Sequence, residues 1–175
     1  MSAFVFGPHI HTNTTAPGRP FSAKFRASVI KNGVQKQHSG RILRDSCGRL
    51  RSDMEFQGVL VGYRVLDPVA GLQIFVNSTN KTFVQSTFGP PPQFGVPPTV
   101  SAKRMIEGLE CLGYPTGPSI EEAWVSPDLE MVIQERTKNE SGESAWELYD
   151  IIRTEPEETL FQIPSDYQAA SGADA

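Results

Sequence analysis

Apolar and polar residues alternate along much of the chain with the period of two that is typical of half-buried β-strands. In the segment FSAKFRASVIK, Phe21, Phe25 and Val29 fall on one face, and the serine, lysine and arginine side chains fall on the other. The dipeptide Asn32–Gly33 follows it, and this dipeptide predicts a tight hairpin because both residues tolerate a positive φ. The next segment, 34–44, is therefore predicted to be the returning strand.

Short strand patterns separated by turn residues continue to about residue 153 and predict an all-β antiparallel fold of about nine or ten strands. A length of 175 residues with 38% apolar content suits one domain with a substantial core. We expect residues 1–20, which are rich in glycine and proline, to form an extended arm. Residues 21–167 would form the single β domain, which ends with a short helical turn over 156–161, and residues 168–175 would be a disordered tail.

The segment GRILRDSCGRLR places four arginines around a tight turn. Asp45 and Gly48 stand at the first and fourth turn positions, as a type I turn prefers. Even spacing predicts that Arg41, Arg49 and Arg51 share one face, with Leu43 and Leu50 on the other. A solvated hairpin face is the favoured interpretation, since charge is easily kept in water. An anion-binding site formed by these three arginines is the alternative.

Charge and hydropathy narrow the classes of partner. The net charge is −4, and a duplex-binding domain normally carries a basic excess, so no nucleic-acid partner is expected. No apolar run is long enough to predict a transmembrane helix. The first residues lack the features of a signal peptide, so the protein is either cytosolic or begins after a removed leader. No motif predicts a metal, a cofactor or a catalytic triad.

The two cysteines and four asparagines are candidates for covalent modification. Cys47 and Cys111 either form one disulfide or remain free thiols, because spacing alone does not decide. Four asparagines satisfy the N-x-[ST] pattern in the predicted arm or turns, where they would be accessible: Asn13, Asn77, Asn80 and Asn139. Turns favour asparagine, serine and threonine in any case, so the pattern also has a purely structural explanation.

Aromatic residues provide the candidate ligand-binding positions. Trp124 and Trp146 lie in predicted strands among apolar neighbours, and an aromatic core is the favoured interpretation. The functional alternative is an apolar ligand wall formed by these tryptophans with Phe25 and Phe94. Phe94 lies in the proline-rich segment GPPPQFGVPPT, a long connection that would form either a lid or a contact.

Four segments in order carry a family resemblance over about Phe21–Tyr167: LRDSCGRLR, YRVLDPVAGLQIFV, EEAWVSPDLEMVI and IIRTEPEETLFQIPSDY. They resemble an uncharacterised family of exported bacterial β-rich proteins with YRDSxGRxR, DPxxG, SPDL and LFxxPxxY motifs. Leu43 and Cys47 depart from this pattern, which usually has tyrosine and a polar residue there. More distantly, the arrangement is similar to the half-barrel of periplasmic lipoprotein carriers. This resemblance implies a strongly curved antiparallel meander around a concave apolar face, without the long helix that plugs the carriers.

These observations lead to two functional hypotheses. The first is a non-catalytic, exported binding module, periplasmic or extracellular, whose ligand is an apolar molecule, a lipid or a partner segment. The second is a structural subunit of a cell-surface or extracellular oligomer, for example a homo-oligomer, joined through the N-terminal arm or a sheet edge.

Overall fold

The computed structural model describes residues 17–87, 100–114, 120–140 and 142–170. Within them the chain is almost entirely β, with one short 3-10 helix over Glu158–Phe161, which confirms the predicted fold class. The twelve strands are β1 (Phe21–Lys31), β2 (Val34–Arg44), β3 (Leu50–Phe56), β4 (Val59–Asp67), β5 (Leu72–Asn77), β6 (Thr82–Thr87), β7 (Ala102–Ile106), β8 (Leu109–Tyr114), β9 (Ile120–Ser126), β10 (Met131–Asn139), β11 (Gly142–Ile152) and β12 (Gln168–Ala169).

The strands form one sheet in the order β12-β6-β5-β4-β3-β2-β1-β11-β10-β9-β8-β7. Two antiparallel meanders, β1 to β6 and β7 to β11, therefore meet where β1 pairs with β11. Strand β12 pairs with β6 in parallel, so the sheet is mixed and has more strands than the nine or ten expected. Gln168–Ala169 were predicted to be part of a disordered tail, and that prediction is wrong for these two residues.

The first hairpin forms as its sequence predicts. Strands β1 and β2 are in continuous register from Phe21 opposite Arg44 to Lys31 opposite Val34. The turn between them has positive φ at Asn32 (51°) and Gly33 (74°), the conformation of a type I′ turn. Its twist matches the twist of paired strands, so the dipeptide fixes the register of the long hairpin.

The sheet is curved, half-barrel-like and not closed. A carboxylate oxygen of Glu107, in the β7–β8 turn, accepts a hydrogen bond from the Asp150 backbone N–H in β11 at 3.0 Å. Three strand spacings separate β8 from β11, about 14 Å in a flat sheet. This distance exceeds the reach of a glutamate side chain, so the contact requires curvature.

The main core combines both meanders and is filled by the chain's own side chains. Its buried members are Phe21, Ala23, Ile42, Leu50, Leu66, Leu109, Cys111, Leu129, Met131, Ile133 and Leu148. Leu129 lies in the β9–β10 turn and is completely buried, so this turn packs its apolar side chain into the core. Burying such side chains is the main source of stability in a sheet of this kind.

A second core lies beneath the segment 153–170, which we call the C-terminal strap. Leu43, Tyr63, Val65, Val76 and Phe161 form this cluster, and Leu160 and Tyr167 pack against it. The expectation that Leu43 shares a face with Leu50 is wrong, because the register places Leu43 opposite Arg51 and Leu50 opposite Arg44.

Candidate binding cleft

The arginines of the β2–β3 turn are held by carboxylates of the chain itself. Asp53 is completely buried and accepts hydrogen bonds from Arg41 Nη2 at 2.7 Å and from Arg51 Nε at 2.5 Å. Arg49 Nε donates to Asp45 Oδ2 at 2.5 Å, and Asp45 is also buried. A buried carboxylate needs such partners, because an unpaired charge in the interior is costly.

This cluster also fastens the C-terminal strap to the sheet. The Arg51 guanidinium lies 3.7 Å from the centre of the Tyr63 ring and donates to the Leu160 carbonyl at 2.5 Å. The Tyr63 hydroxyl donates to the Gln162 carbonyl, and burial raises the pKa of Tyr63. The predicted anion-binding arginines, Arg41, Arg49 and Arg51, thus have internal partners within the described residues. Sequence reasoning missed Asp53, although its two-residue spacing from Arg51 places both on one face.

Three of the candidate ligand-binding aromatics, Phe25, Trp124 and Trp146, are partly buried and pack against the main core. A register shift in β10 between Val132 and Gln134 lies opposite Trp124, so alternation alone does not assign Trp124 and Trp146 to opposite faces. Phe25 is paired with Leu148 and therefore shares the face of Trp146. This packing favours the aromatic-core interpretation for these three residues, an apolar ligand wall formed by them stays a prediction, and Phe94 lies outside the described residues.

Trp124 is engaged by neighbouring residues. The Arg104 guanidinium lies 3.9 Å from its ring centre, and the indole N–H donates to the Glu122 carboxylate. Its ring also lies where a Cβ on Gly113 would come within 3.0 Å, so the glycine allows close packing. These contacts favour a structural role for Trp124.

The structure bears on the pairing of the two cysteines, but it does not test glycosylation of the four asparagines. Both cysteines are free thiols: Cys47 is exposed in the β2–β3 turn and Cys111 is buried in the main core, so the disulfide alternative is wrong. The Asn77 side chain accepts hydrogen bonds from the backbone of Thr79 and Asn80, an Asx turn. Glycosylation at Asn77, Asn80 and Asn139 stays a prediction, and Asn13 lies outside the described residues.

A cleft of about 680 Å³ spans β3, β2, β1, β11 and β10. Eleven of its fifteen lining residues are polar or charged, and Trp146 and Phe56 are its large apolar members. Arg26 and Glu147, on adjacent strands, form an ion pair in this lining. The full lining is Arg26, Ala27, Ser28, Gln37, His38, Ser39, Glu55, Phe56, Gln57, Gln134, Glu135, Arg136, Ala145, Trp146 and Glu147.

Successive cross-strand partners form one row through this cleft. His38 is opposite Ala27, Ala27 is opposite Trp146, and Trp146 is opposite Glu135. These four side chains therefore share a face of the sheet. Ala27 lies between His38 and Trp146 in this row. Because its side chain is small, the apolar and ionisable groups on either side of it lie close together.

Within the described residues, no group of three or more histidine, cysteine, aspartate or glutamate side chains is arranged to hold a metal ion. In the same ranges, no helix has the length and apolar character needed to cross a membrane.

Comparison with solved structures identifies the fold. A chain of the Pseudomonas aeruginosa MucA/MucB complex aligns with a TM-score of 0.52 and 14% identity, over 85% of this chain and 56% of that one. PNGF-II aligns with a TM-score of 0.51 and 12% identity, over 88% of this chain and 31% of that one. The present chain thus spans about half or less of these two proteins.

The LolA superfamily protein NE2245 from Nitrosomonas europaea aligns over 85% of this chain and 92% of that one, with 7% identity and a TM-score of 0.45. At such low identities, these alignments concern the fold alone. Neither a protein-family model nor a curated protein sequence matches the chain, so the resemblance carried by the four motifs stays a prediction.

Proposed function

We propose that this domain is a non-catalytic binding module that holds a segment of a partner protein in the cleft between β3 and β10. The observation that carries this proposal is the mixed lining of the cleft, in which guanidinium, carboxylate and amide groups surround Trp146 and Phe56. A peptide segment offers both backbone hydrogen bonds and side chains of several kinds, so it suits such a lining.

A lipid suits this cleft less well. Acyl chains require an apolar lining, because a polar group that loses water without gaining a hydrogen bond is destabilised. The apolar side chains of the main core are packed against one another, and Leu129, Met131 and Ile133 are completely buried. Among the lipid, apolar-ligand and partner-segment alternatives, the described residues therefore favour the partner segment.

The fold comparison gives this proposal limited additional support. MucB, one of the proteins that share the fold, is found in complex with MucA(peri), so a protein partner is compatible with this architecture. The periplasmic or extracellular location stays a prediction. The alternative assembly function through residues 1–20 also stays a prediction, because residues 1–16 lie outside the described residues.

A peptide selection tests the proposal. The full chain would be immobilised and panned with a phage-displayed library of random peptides, and the enriched peptides would be synthesised for calorimetry. We expect Phe56→Ser to weaken their binding about tenfold, because Phe56 is 65% exposed at the cleft. The matched control is Val69→Ser, which removes another exposed apolar side chain outside the cleft lining.

Vesicle sedimentation provides the contrasting measurement. Vesicles of phosphatidylethanolamine and phosphatidylglycerol should leave the chain in the supernatant. Absence of any enriched peptide, or equal binding by the Phe56 and Val69 variants, would overturn the proposal. Co-sedimentation that depends on Phe56 would replace it with lipid binding.

A further inference from the structure

Strand β2 extends beyond its partner β3 and leaves a local unpaired edge. Its pairing with β1 covers all of Val34–Arg44, whereas its pairing with β3 runs only from Ser39 to Arg44. The five residues 34–38 have no ladder partner on the β3 side within the described part of the chain, and all five are exposed. We call residues 34–38 the β2 notch.

The turn geometry determines which backbone groups point into this notch. In a two-residue type I′ hairpin, the flanking pair, here Lys31 and Val34, is hydrogen-bonded, and hydrogen-bonded and non-hydrogen-bonded pairs then alternate. Gln35 and Gln37 consequently direct their N–H and C=O groups away from β1. Unpaired groups of this kind can accept an additional strand.

The β2 notch opens directly onto the binding cleft. Gln37 and His38 contribute to the cleft lining together with Phe56 and Gln57 of the β3–β4 hairpin. An added strand would therefore lie beside residues 34–38, next to the tip of the β3–β4 hairpin. Its side chains would be directed alternately into and away from the cleft.

The side chains around the notch indicate which residues an added strand would carry. Phe56 and Val59 are paired across the β3–β4 turn and are each 65% exposed, and Val34 is 59% exposed. Lys36 is exposed between Val34 and His38 on one face of β2. Apolar residues with a high strand propensity suit contact with Phe56, Val59 and Val34, and a carboxylate suits contact with Lys36.

We propose that the partner segment binds by β-strand addition to the β2 notch, where its backbone pairs with Gln35 and Gln37. The segment is extended, has apolar side chains on the face that contacts Phe56, and carries an acidic side chain opposite Lys36. This inference rests on the proposed function and specifies how the same cleft recognises its ligand. The two edge strands of the sheet, β12 and β7, also have exposed residues, but they contribute nothing to the cleft lining.

The decisive variant is Gln37→Pro, compared with Gln37→Thr. Proline removes the N–H that points into the notch, and a strand tolerates it where that N–H does not pair with its neighbour. Threonine removes the same glutamine side chain but keeps the N–H. We expect the synthetic peptides from the library selection to bind Gln37→Pro about tenfold more weakly than Gln37→Thr. Circular dichroism and thermal melting would establish that both variants are folded.

N-methylation of the peptide backbone provides a second test on the unaltered chain. Strand addition predicts that methylation at every second residue weakens binding about tenfold or more, and that methylation at the intervening residues has little effect. The variant Lys36→Ala tests the proposed charge pairing, and Lys103→Ala on β7 is the control. Of the two, Lys36→Ala alone should weaken the binding of acidic peptides.

The possible failures are distinguishable. Equal binding by Gln37→Pro and Gln37→Thr, together with a methylation scan that lacks alternation, would overturn strand addition. If binding still depended on Phe56 in that case, the proposed function would stand. Absence of any peptide binding would overturn both proposals.

Discussion

The guanidinium carbon of Arg44 lies 5.0 Å from the centre of the Phe21 ring, and both side chains are completely buried. Arg44 Nε donates to the Arg19 carbonyl at 3.0 Å, and Nη2 donates to the Leu129 carbonyl at 2.7 Å. Within the described residues Nη1 has no hydrogen-bond partner. Burial lowers the pKa of Arg44 to about 10, so this cation is held in the core by carbonyl groups and by the aromatic ring.

Arg44→Ala is expected to lower the free energy of unfolding by about 3 to 5 kcal/mol, because it leaves a cavity and removes the donors that hold the β9–β10 turn. Arg44→Met should cost less, since it retains apolar volume without a buried charge. Urea unfolding followed by circular dichroism measures both changes, with exposed Lys36→Ala as the control. A loss below about 1 kcal/mol for Arg44→Ala would contradict this role.

Asp53→Ala is expected to destabilise the chain by about 3 kcal/mol or more, because it leaves the buried Arg51 without its carboxylate partner. Loss of this ion pair should also loosen the C-terminal strap. Hydrogen exchange should therefore become faster at Leu160 and Gln162 than at the first hairpin. The control is Glu110→Ala, whose exposed carboxylate pairs with exposed Lys103. Uniform acceleration along the chain would argue against a specific link to the strap.

Gly40→Ala is expected to destabilise the fold by at least about 2 kcal/mol, because overpacking forces the backbone to shift. A Cβ at this position would come within 2.0 Å of the Asp53 carbonyl oxygen and 2.9 Å of the Phe25 ring. Thermal melting of Gly40→Ala and of the adjacent control Ser39→Ala provides the comparison. Similar melting temperatures would show that β2 and β3 separate easily at this point.

The two thiols should differ in reactivity. Cys47 is exposed and should react with iodoacetamide in the folded protein, whereas Cys111 should react only after unfolding. Burial raises the pKa of Cys111 to about 11 from its ordinary value of 9.0. The folded state then retains a proton that the unfolded chain loses, so this contribution to stability is present below pH 9 and declines as the pH rises towards 11.

Peptide mass spectrometry measures the two alkylation rates. Urea unfolding between pH 8 and 11 measures the pH dependence, and Cys111→Ala should reduce its slope. Rapid labelling of Cys111 in the folded protein, or an unchanged slope in the variant, would contradict the predicted burial.

The sequence alone determined the local elements. Alternation predicted β1, and Asn32–Gly33 predicted the turn and register of the first hairpin, because these depend on side-chain direction and backbone conformation of neighbouring residues. The family resemblance anticipated a curved sheet. Alternation also predicted that Arg41 and Arg51 lie on one face, where they in fact share Asp53.

Only the tertiary structure decided which distant elements meet. The pairing of β1 with β11 joins residues more than a hundred positions apart, and no local pattern specifies it. The same reason explains the error at Cys47 with Cys111, whereas the error at Leu43 is local, because Leu43 is two positions from Arg41 in β2 and therefore shares its face. The face that a residue occupies follows from its own strand, but bulges, curvature and the docking of the C-terminal strap decide what covers that face.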